Sequence, residues 1–129
     1  MGLDMYLTGE VIFRNGHPNR QLKPCGKKVE QYELGYWRKH PNLHGYIVES
    51  FADGIDECQE IFLGSKNIHQ IIEAIKNREL PETIGFFFGE SDDSDEQIEE
   101  DVGIFEDALK WLEIEDEGVW KVIIYRASW

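Results

Sequence analysis

The chain has 129 residues, of which 41% are apolar and 12% aromatic, so it can pack one hydrophobic core and is not a disordered chain. Its formal net charge of −13 argues against general binding to nucleic acid or to an anionic membrane, because both need a broad basic surface. No apolar run reaches the roughly 18 residues that span a bilayer, no secretion signal opens the chain, and two cysteines are too few for a disulfide framework. We therefore expect one cytoplasmic domain, residues 1–129, with free thiols at Cys25 and Cys58.

Two strands are predicted at the start of the chain. Apolar and polar residues alternate over 3–13, which is typical of a half-buried strand, and Asn15-Gly16 then signals a turn. Residues 17–26 carry proline and glycine with few apolar residues, which predicts a surface loop. Alternation over 29–37 predicts a second strand, paired with the first as a hairpin. Three apolar or aromatic residues are expected on one of its faces: Tyr32, Leu34 and Tyr36.

Helical periodicity alternates with strands in the rest of the chain. A first helix is predicted from Pro41 to a stop at Gly54, and a short strand over 58–63. A second helix begins with Ser65 as its cap and has an isoleucine stripe, and 83–89 forms a short aromatic strand or turn.

A third helix and a last strand complete the prediction. Ser94 and Gln97 have the spacing of a capping box, and the helix that they open ends near Glu113. The β-prone residues over 119–127 form the last strand. This order favours an α+β fold with one mixed or antiparallel sheet of four to five strands and three helices packed on it.

The charge is unevenly distributed along the chain. The stretch from Arg14 to Lys39 has seven basic and two acidic residues, a charge of +5, whereas Glu49 to Glu117 has 22 acidic and four basic residues, a charge of −18. A local site for an anion is therefore compatible with an acidic protein.

The junction between the second strand and the first helix is the strongest candidate site. Trp37, Arg38, Lys39 and His44 combine an aromatic face, two fixed positive charges and a titratable ring next to a helix N-terminus, the features that bind a phosphate or carboxylate. Alternatively, the aromatic rings are core and the basic groups pair with acids.

Metal sites are weakly indicated. His40 and His44 have chelating spacing, but Pro41 places His40 at or before the cap, and Cys58 or Glu57 as a third ligand is a guess. Residues 90–101 contain eight acids but lack the glycine and glutamate that a calcium loop needs. We predict no metal site and no cofactor.

The acidic run 90–101 has two interpretations. It is either the solvated N-terminus of a helix, which the macrodipole favours, or a negative surface that mimics nucleic acid or docks on a basic protein. Catalysis has less support, because no nucleophile has an adjacent base and no phosphate-cradling glycine loop is present. An enzyme using His44 as acid/base near Cys58 remains the weakest alternative.

Five segments together resemble a family of small bacteriophage and bacterial proteins to which no activity is assigned. They are Met1–Leu7, Gly35–Lys39 with His44, Asp56–Cys58, Gly85–Gly89 and Tyr125–Trp129. The resemblance implies a small phage-type domain and transfers no catalytic residues. The chain departs from the family pattern at His40-Pro41, where Ala-Asn is expected.

These observations lead to one leading hypothesis. We expect a non-catalytic binding module for a small anionic or nucleotide-like ligand, with an acidic interaction module, such as a phage inhibitor of a host protein, as the alternative. We expect the first strand, the junction and the Phe-rich turn to converge, with Asp4 orienting His44 or Arg38. The predicted ligand-binding residues are Asp4, Trp37, Arg38, Lys39, His44, Cys58 and Phe87.

Overall fold

The computed structural model describes residues 2–13, 29–83, 94–114 and 119–129. Within these residues it has four strands and three helices. The strands are β1 (Asp4–Phe13), β2 (Val29–Arg38), β3 (Ile61–Leu63) and β4 (Val119–Ser128), and the helices are α1 (Pro41–Phe51), α2 (Ser65–Lys76) and α3 (Asp95–Glu113). The predicted turn at 15–16, the loop at 17–26 and the aromatic segment 84–89 lie outside the described residues.

The four strands form one antiparallel sheet in the order β2-β1-β4-β3. The predicted hairpin of β1 and β2 is confirmed, and the last strand of the chain lies inside the sheet, between β1 and β3. The α+β class is therefore confirmed, with an antiparallel sheet of four strands. The predicted strand over 58–63 is shorter, because Cys58 has a φ of 56° and pairing begins at Ile61.

The helices pack on one face of this sheet, because alternate strand residues point toward them. Leu3, just before β1, and Met5 and Leu7 on β1 are fully buried on the helix side, and Asp4 and Tyr6 lie on the opposite, open face. One core cluster joins the helix side of the sheet to all three helices. Its helical members include Leu43 and Ile47 of α1, Ile68, Ile71 and Ile75 of α2, and Phe105 and Leu109 of α3.

A bulge in β2 changes which residues share a face. Leu7 pairs with Gly35 and Thr8 pairs with Glu33, so Leu34 is an extra residue in the ladder. Tyr36 therefore lies opposite Tyr6 on the open face, whereas Tyr32 contacts Trp111 of α3 on the helix side. The prediction that Tyr32 and Tyr36 share a face was wrong.

The helix starts agree with the sequence in part. Ser94 caps α3 and accepts a hydrogen bond from the Gln97 backbone N–H at 3.2 Å, and the Gln97 side-chain amide donates to Asp101 Oδ1 at 2.8 Å. The cap of α2 is Gly64 rather than Ser65, and its N–H donates to the Asn67 side chain at 2.8 Å. No described helix is both long enough and apolar enough to cross a membrane.

Candidate functional site

The chain turns sharply where β2 passes into α1. Lys39 has a φ of 57°, in the left-handed region that non-glycine residues seldom adopt, and its backbone N–H donates to the Leu3 carbonyl at 2.8 Å. This turn breaks the alternation of the strand, so consecutive residues can face one space. Pro41 then occupies the first position of α1, as predicted, where its missing N–H is not needed.

Two clefts meet at His40. The edge cleft, with a volume of about 320 Å³, runs between the end of β2 and the first turns of α3. The inner cleft, of about 220 Å³, lies between α1, α3 and the end of α2. The edge cleft is lined by Tyr36, Trp37, Arg38, Lys39, His40, Gln97 and Glu100; the inner cleft is lined by His40, Asn42, Ile75, Arg78, Leu80, Ile98 and Asp101.

The buried carboxylate of Asp101 is hydrogen-bonded to residues that line these clefts. Asp101 is 1% exposed. Its Oδ1 accepts hydrogen bonds from Trp37 Nε1 and Gln97 Nε2, both at 2.8 Å, and its Oδ2 lies 2.7 Å from His40 Nε2. A carboxylate oxygen can only accept, so His40 carries its proton on Nε2. The Trp37 ring also stacks on Phe105, with centroids 5.3 Å apart.

A second histidine network lies one helical turn further along α1. His44 is 2% exposed; its Nε2 lies 2.8 Å from Asp56 Oδ2 and its Nδ1 lies 2.5 Å from the Tyr125 hydroxyl. Burial raises the pKa of Tyr125 well above its ordinary value of 10.0, so the phenol stays protonated and its O–H donates a hydrogen bond to Nδ1. In the neutral imidazole this fixes the proton on Nε2, facing Asp56.

The structure brings together only part of the predicted site. Trp37, Arg38 and Lys39 line the edge cleft, with Arg38 and Lys39 exposed and Trp37 buried. His44 and Cys58 line neither cleft, and Cys58 is an exposed free thiol. Phe87 lies outside the described residues.

Asp4 does not orient His44. Its Oδ1 accepts a hydrogen bond from the Tyr36 hydroxyl at 2.6 Å, on the open face of the sheet. This bond raises the pKa of Tyr36 above its ordinary 10.0. Asp4 pairs with Arg38 across the two strands, so it lies beside the predicted site and not beneath it.

The structure gives no geometry for a metal ion at the histidines. The Nε2 atoms of His40 and His44 each face a different carboxylate. Within the described ranges, no group of three or more histidine, cysteine or acidic side chains could hold a metal ion.

Two site residues, His40 and Asp101, were not among the predicted ligand-binding residues. Asp101 carried a signal, since it is three residues after Ile98 and four before Phe105, on the apolar stripe of its helix. A carboxylate on such a stripe is buried and needs donors. Gln97 is on the same helix, but the other two partners, Trp37 and His40, are 64 and 61 residues away, and nothing in the sequence points to them.

Comparison of the chain with protein-family models, with curated proteins and with solved structures finds no match. The resemblance to small phage and bacterial proteins therefore stays a prediction.

Proposed function

We propose that this protein is a non-catalytic module that binds a small anionic, nucleotide-like ligand in the edge cleft. The observation that carries the proposal is that three consecutive residues with basic side chains, Arg38, Lys39 and His40, line one cleft of about 320 Å³. That volume is at the lower end of the roughly 300–1,000 Å³ of small-molecule sites.

The charges of the cleft favour an anion. Arg38 and Lys39 are exposed and carry fixed positive charge, while Glu100 is the acidic side chain among the residues that line the cleft. Among the described residues, neither Arg38 nor Lys39 is in a salt bridge. Arg38 can therefore take a phosphate or carboxylate as a bidentate partner without giving up an existing ion pair.

The buried network behind the cleft supports this function by fixing its wall. Asp101 holds Trp37 and His40 from one side, so the backbone between them is fixed before a ligand arrives. Preorganisation of this kind lowers the entropy lost on binding. We also propose a cytoplasmic location, where phosphorylated metabolites are abundant.

A thermal-shift screen tests the proposal. The purified protein is heated with inorganic phosphate, pyrophosphate, mononucleotides and cyclic dinucleotides, and at least one is expected to raise the melting temperature. Arg38→Ala should abolish that rise without unfolding the free protein. Lys66→Ala is the control, because Lys66 is exposed and lines neither cleft. No rise with any compound at millimolar concentration contradicts the proposal.

A second candidate function rests on α3. Seven of its acidic side chains are exposed, against one exposed lysine, Lys110. This face could dock on a basic host protein, as a phage-encoded inhibitor does. Salt-sensitive capture of such a protein should be lost when Asp95, Glu96 and Glu99 are changed to lysine; unchanged capture contradicts this function. The exposed acids are Asp95, Glu96, Glu99, Glu100, Glu106, Asp107 and Glu113.

A further inference from the structure

The open face of the sheet carries a pair of tyrosines next to the edge cleft. Tyr6 and Tyr36 are cross-strand partners, with ring centroids 5.3 Å apart and ring planes at 51°. Tyr36 is 45% exposed, and it also lines the edge cleft. The rings and the cleft therefore form one continuous surface.

Two arginines flank the tyrosine pair. Arg126 of β4 is the cross-strand partner of Tyr6, and Arg38 follows Tyr36 by two residues on the same face of β2. Both are exposed. Among the described residues neither guanidinium is paired with a carboxylate. We refer to Tyr6, Tyr36, Arg38 and Arg126 as the tyrosine platform.

The hydrogen bond to Asp4 prepares Tyr36 for stacking. The Tyr36 hydroxyl donates to Asp4 Oδ1 at 2.6 Å, which fixes the ring against rotation away from Tyr6. A phenol with the ordinary pKa of 10.0 is already neutral at physiological pH, and the bond to Asp4 raises the pKa of Tyr36 further, so the ring carries no charge that would repel an anion.

The geometry points to one ligand class. We propose, as an extension that rests on the proposed function, that the tyrosine platform binds a nucleoside monophosphate, with the base stacked on the exposed ring of Tyr36 beside the tilted ring of Tyr6, and the phosphate at Arg38 and Lys39. Residues two apart on a strand are separated by about 6.6 Å, which is comparable with the distance from base to phosphate in a nucleotide. Aromatic rings stack on any base, and arginine binds phosphate bidentately.

The charges around the tyrosine platform favour a single nucleotide over a polymer. On the open face, moving away from Arg38, the next pair after Tyr6 and Tyr36 is Thr8 and Glu33, and the pair after that is Glu10 and Gln31. A second phosphate in that direction would meet two carboxylates. The net charge of −13 opposes a long polyanion for the same reason.

Isothermal titration with four probes tests the extension. The probes are AMP, ribose 5-phosphate, adenosine and a five-residue oligoadenylate. We expect AMP to bind at least about tenfold more tightly than ribose 5-phosphate, because stacking on a ring adds to the phosphate contact. Tyr36→Thr, which suits an exposed strand position, should abolish the difference, so that AMP and ribose 5-phosphate bind this variant with equal affinity.

Tyr32→Thr is the matched control. Tyr32 is on the same strand and has the same exposed fraction as Tyr36, 45%, but it lies on the helix side of the sheet. Its hydroxyl also donates to an acidic side chain, that of Glu30. AMP affinity should therefore be unchanged in Tyr32→Thr, and an equal loss in both variants contradicts the extension.

The outcomes separate the extension from the proposed function. If none of the phosphate-bearing probes binds, the extension fails, and the proposed function fails with it if no compound in the thermal-shift screen raises the melting temperature. If AMP and ribose 5-phosphate bind equally and only Arg38→Ala weakens them, the anion site stands and the tyrosine platform is overturned. If oligoadenylate binds much more tightly than AMP, with a steep salt dependence, the single-nucleotide assignment is overturned in favour of single-stranded nucleic acid.

Discussion

His40 and His44 are one helical turn apart at the start of α1, and their surroundings differ although their chemistry is alike. His40 is 5% exposed and His44 is 2% exposed. The Nε2 atom of each ring lies within 2.8 Å of an aspartate Oδ2. His40 borders two clefts, whereas His44 borders neither. A buried histidine–carboxylate pair therefore does not by itself indicate a binding site. A cleft next to the histidine ring is needed as well.

The two histidine networks also join different parts of the fold. Asp101 connects the end of β2 and the cap of α1 to α3. His44 connects α1 to the central strand β4 through Tyr125, and to the segment after α1 through Asp56. The first network supports the wall of a cleft, and the second holds a helix on its sheet.

Loss of the Asp101 carboxylate should have the largest effect on stability. Asp101→Ala leaves the polar groups of His40, Trp37 and Gln97 without their shared acceptor, and breaking a buried pair in this way lowers the free energy of unfolding by about 3 kcal/mol. Urea denaturation measures the change. Glu99→Ala, on the exposed side of the same helix, should change it by less than about 0.5 kcal/mol. Equal effects would mean that the buried network is not stabilising.

Removal of the second histidine should separate stability from binding. His44→Ala leaves the buried Tyr125 hydroxyl without its acceptor and opens a cavity, so we expect a loss of about 2 kcal/mol. AMP affinity of the folded variant should be unchanged, since His44 lines neither cleft. His40→Ala should weaken AMP binding as well as stability. Weaker AMP binding in folded His44→Ala would show that the two histidines form one site.

Ionisation of the Tyr125 hydroxyl should account for part of the decrease in the free energy of unfolding at alkaline pH. Its pKa is raised above 10.0 in the folded chain, so the unfolded chain loses this proton first. The stabilisation is complete below about pH 10 and is lost as the pH rises from there toward the folded pKa. Urea denaturation from pH 8 to 11 should show this decline.

Tyr125→Phe tests the assignment of that decline. The variant should lose about 1 kcal/mol at neutral pH, because His44 Nδ1 loses its donor, and its stability should fall less steeply above pH 10. Tyr46→Phe is the control, since Tyr46 is partly buried against Phe51. The same flattening in Tyr46→Phe would refute the assignment to Tyr125.

The smallest expected effect concerns the turn at Lys39. Glycine adopts a φ of 57° without strain, so Lys39→Gly should raise the free energy of unfolding by about 0.5 kcal/mol, after the added entropy of the unfolded chain is subtracted. Lys110→Gly, inside α3, should lower it by about 1 kcal/mol. AMP should bind more weakly to Lys39→Gly. A destabilised Lys39→Gly would mean that the lysine side chain itself supports the turn.

The sequence predicted the described elements because their signals are local. The period of two over β1 and the isoleucine spacing of α2 depend only on neighbours along the chain. The bulge at Leu34 has no such signal, since it depends on how β2 aligns with β1. That single extra residue determines which tyrosine belongs to the tyrosine platform.

The candidate site was predictable only where its residues are consecutive. Trp37, Arg38 and Lys39 line one cleft as a short segment. The partners of His44 could not be assigned, because Tyr125 is 81 residues away. Asp101 had a local signal on its helix, but its distant partners, Trp37 and His40, did not.

The position of β4 also bears on how the protein is made. β1 and β3 are not neighbours in the sheet; each pairs with β4, which follows the other three described strands in the chain. Until it emerges, β1 and β2 form only a two-stranded ribbon, and such ribbons are marginally stable in water. The four-stranded sheet therefore cannot close until β4 has been synthesised, although the helices that cover its buried face precede β4 in the chain.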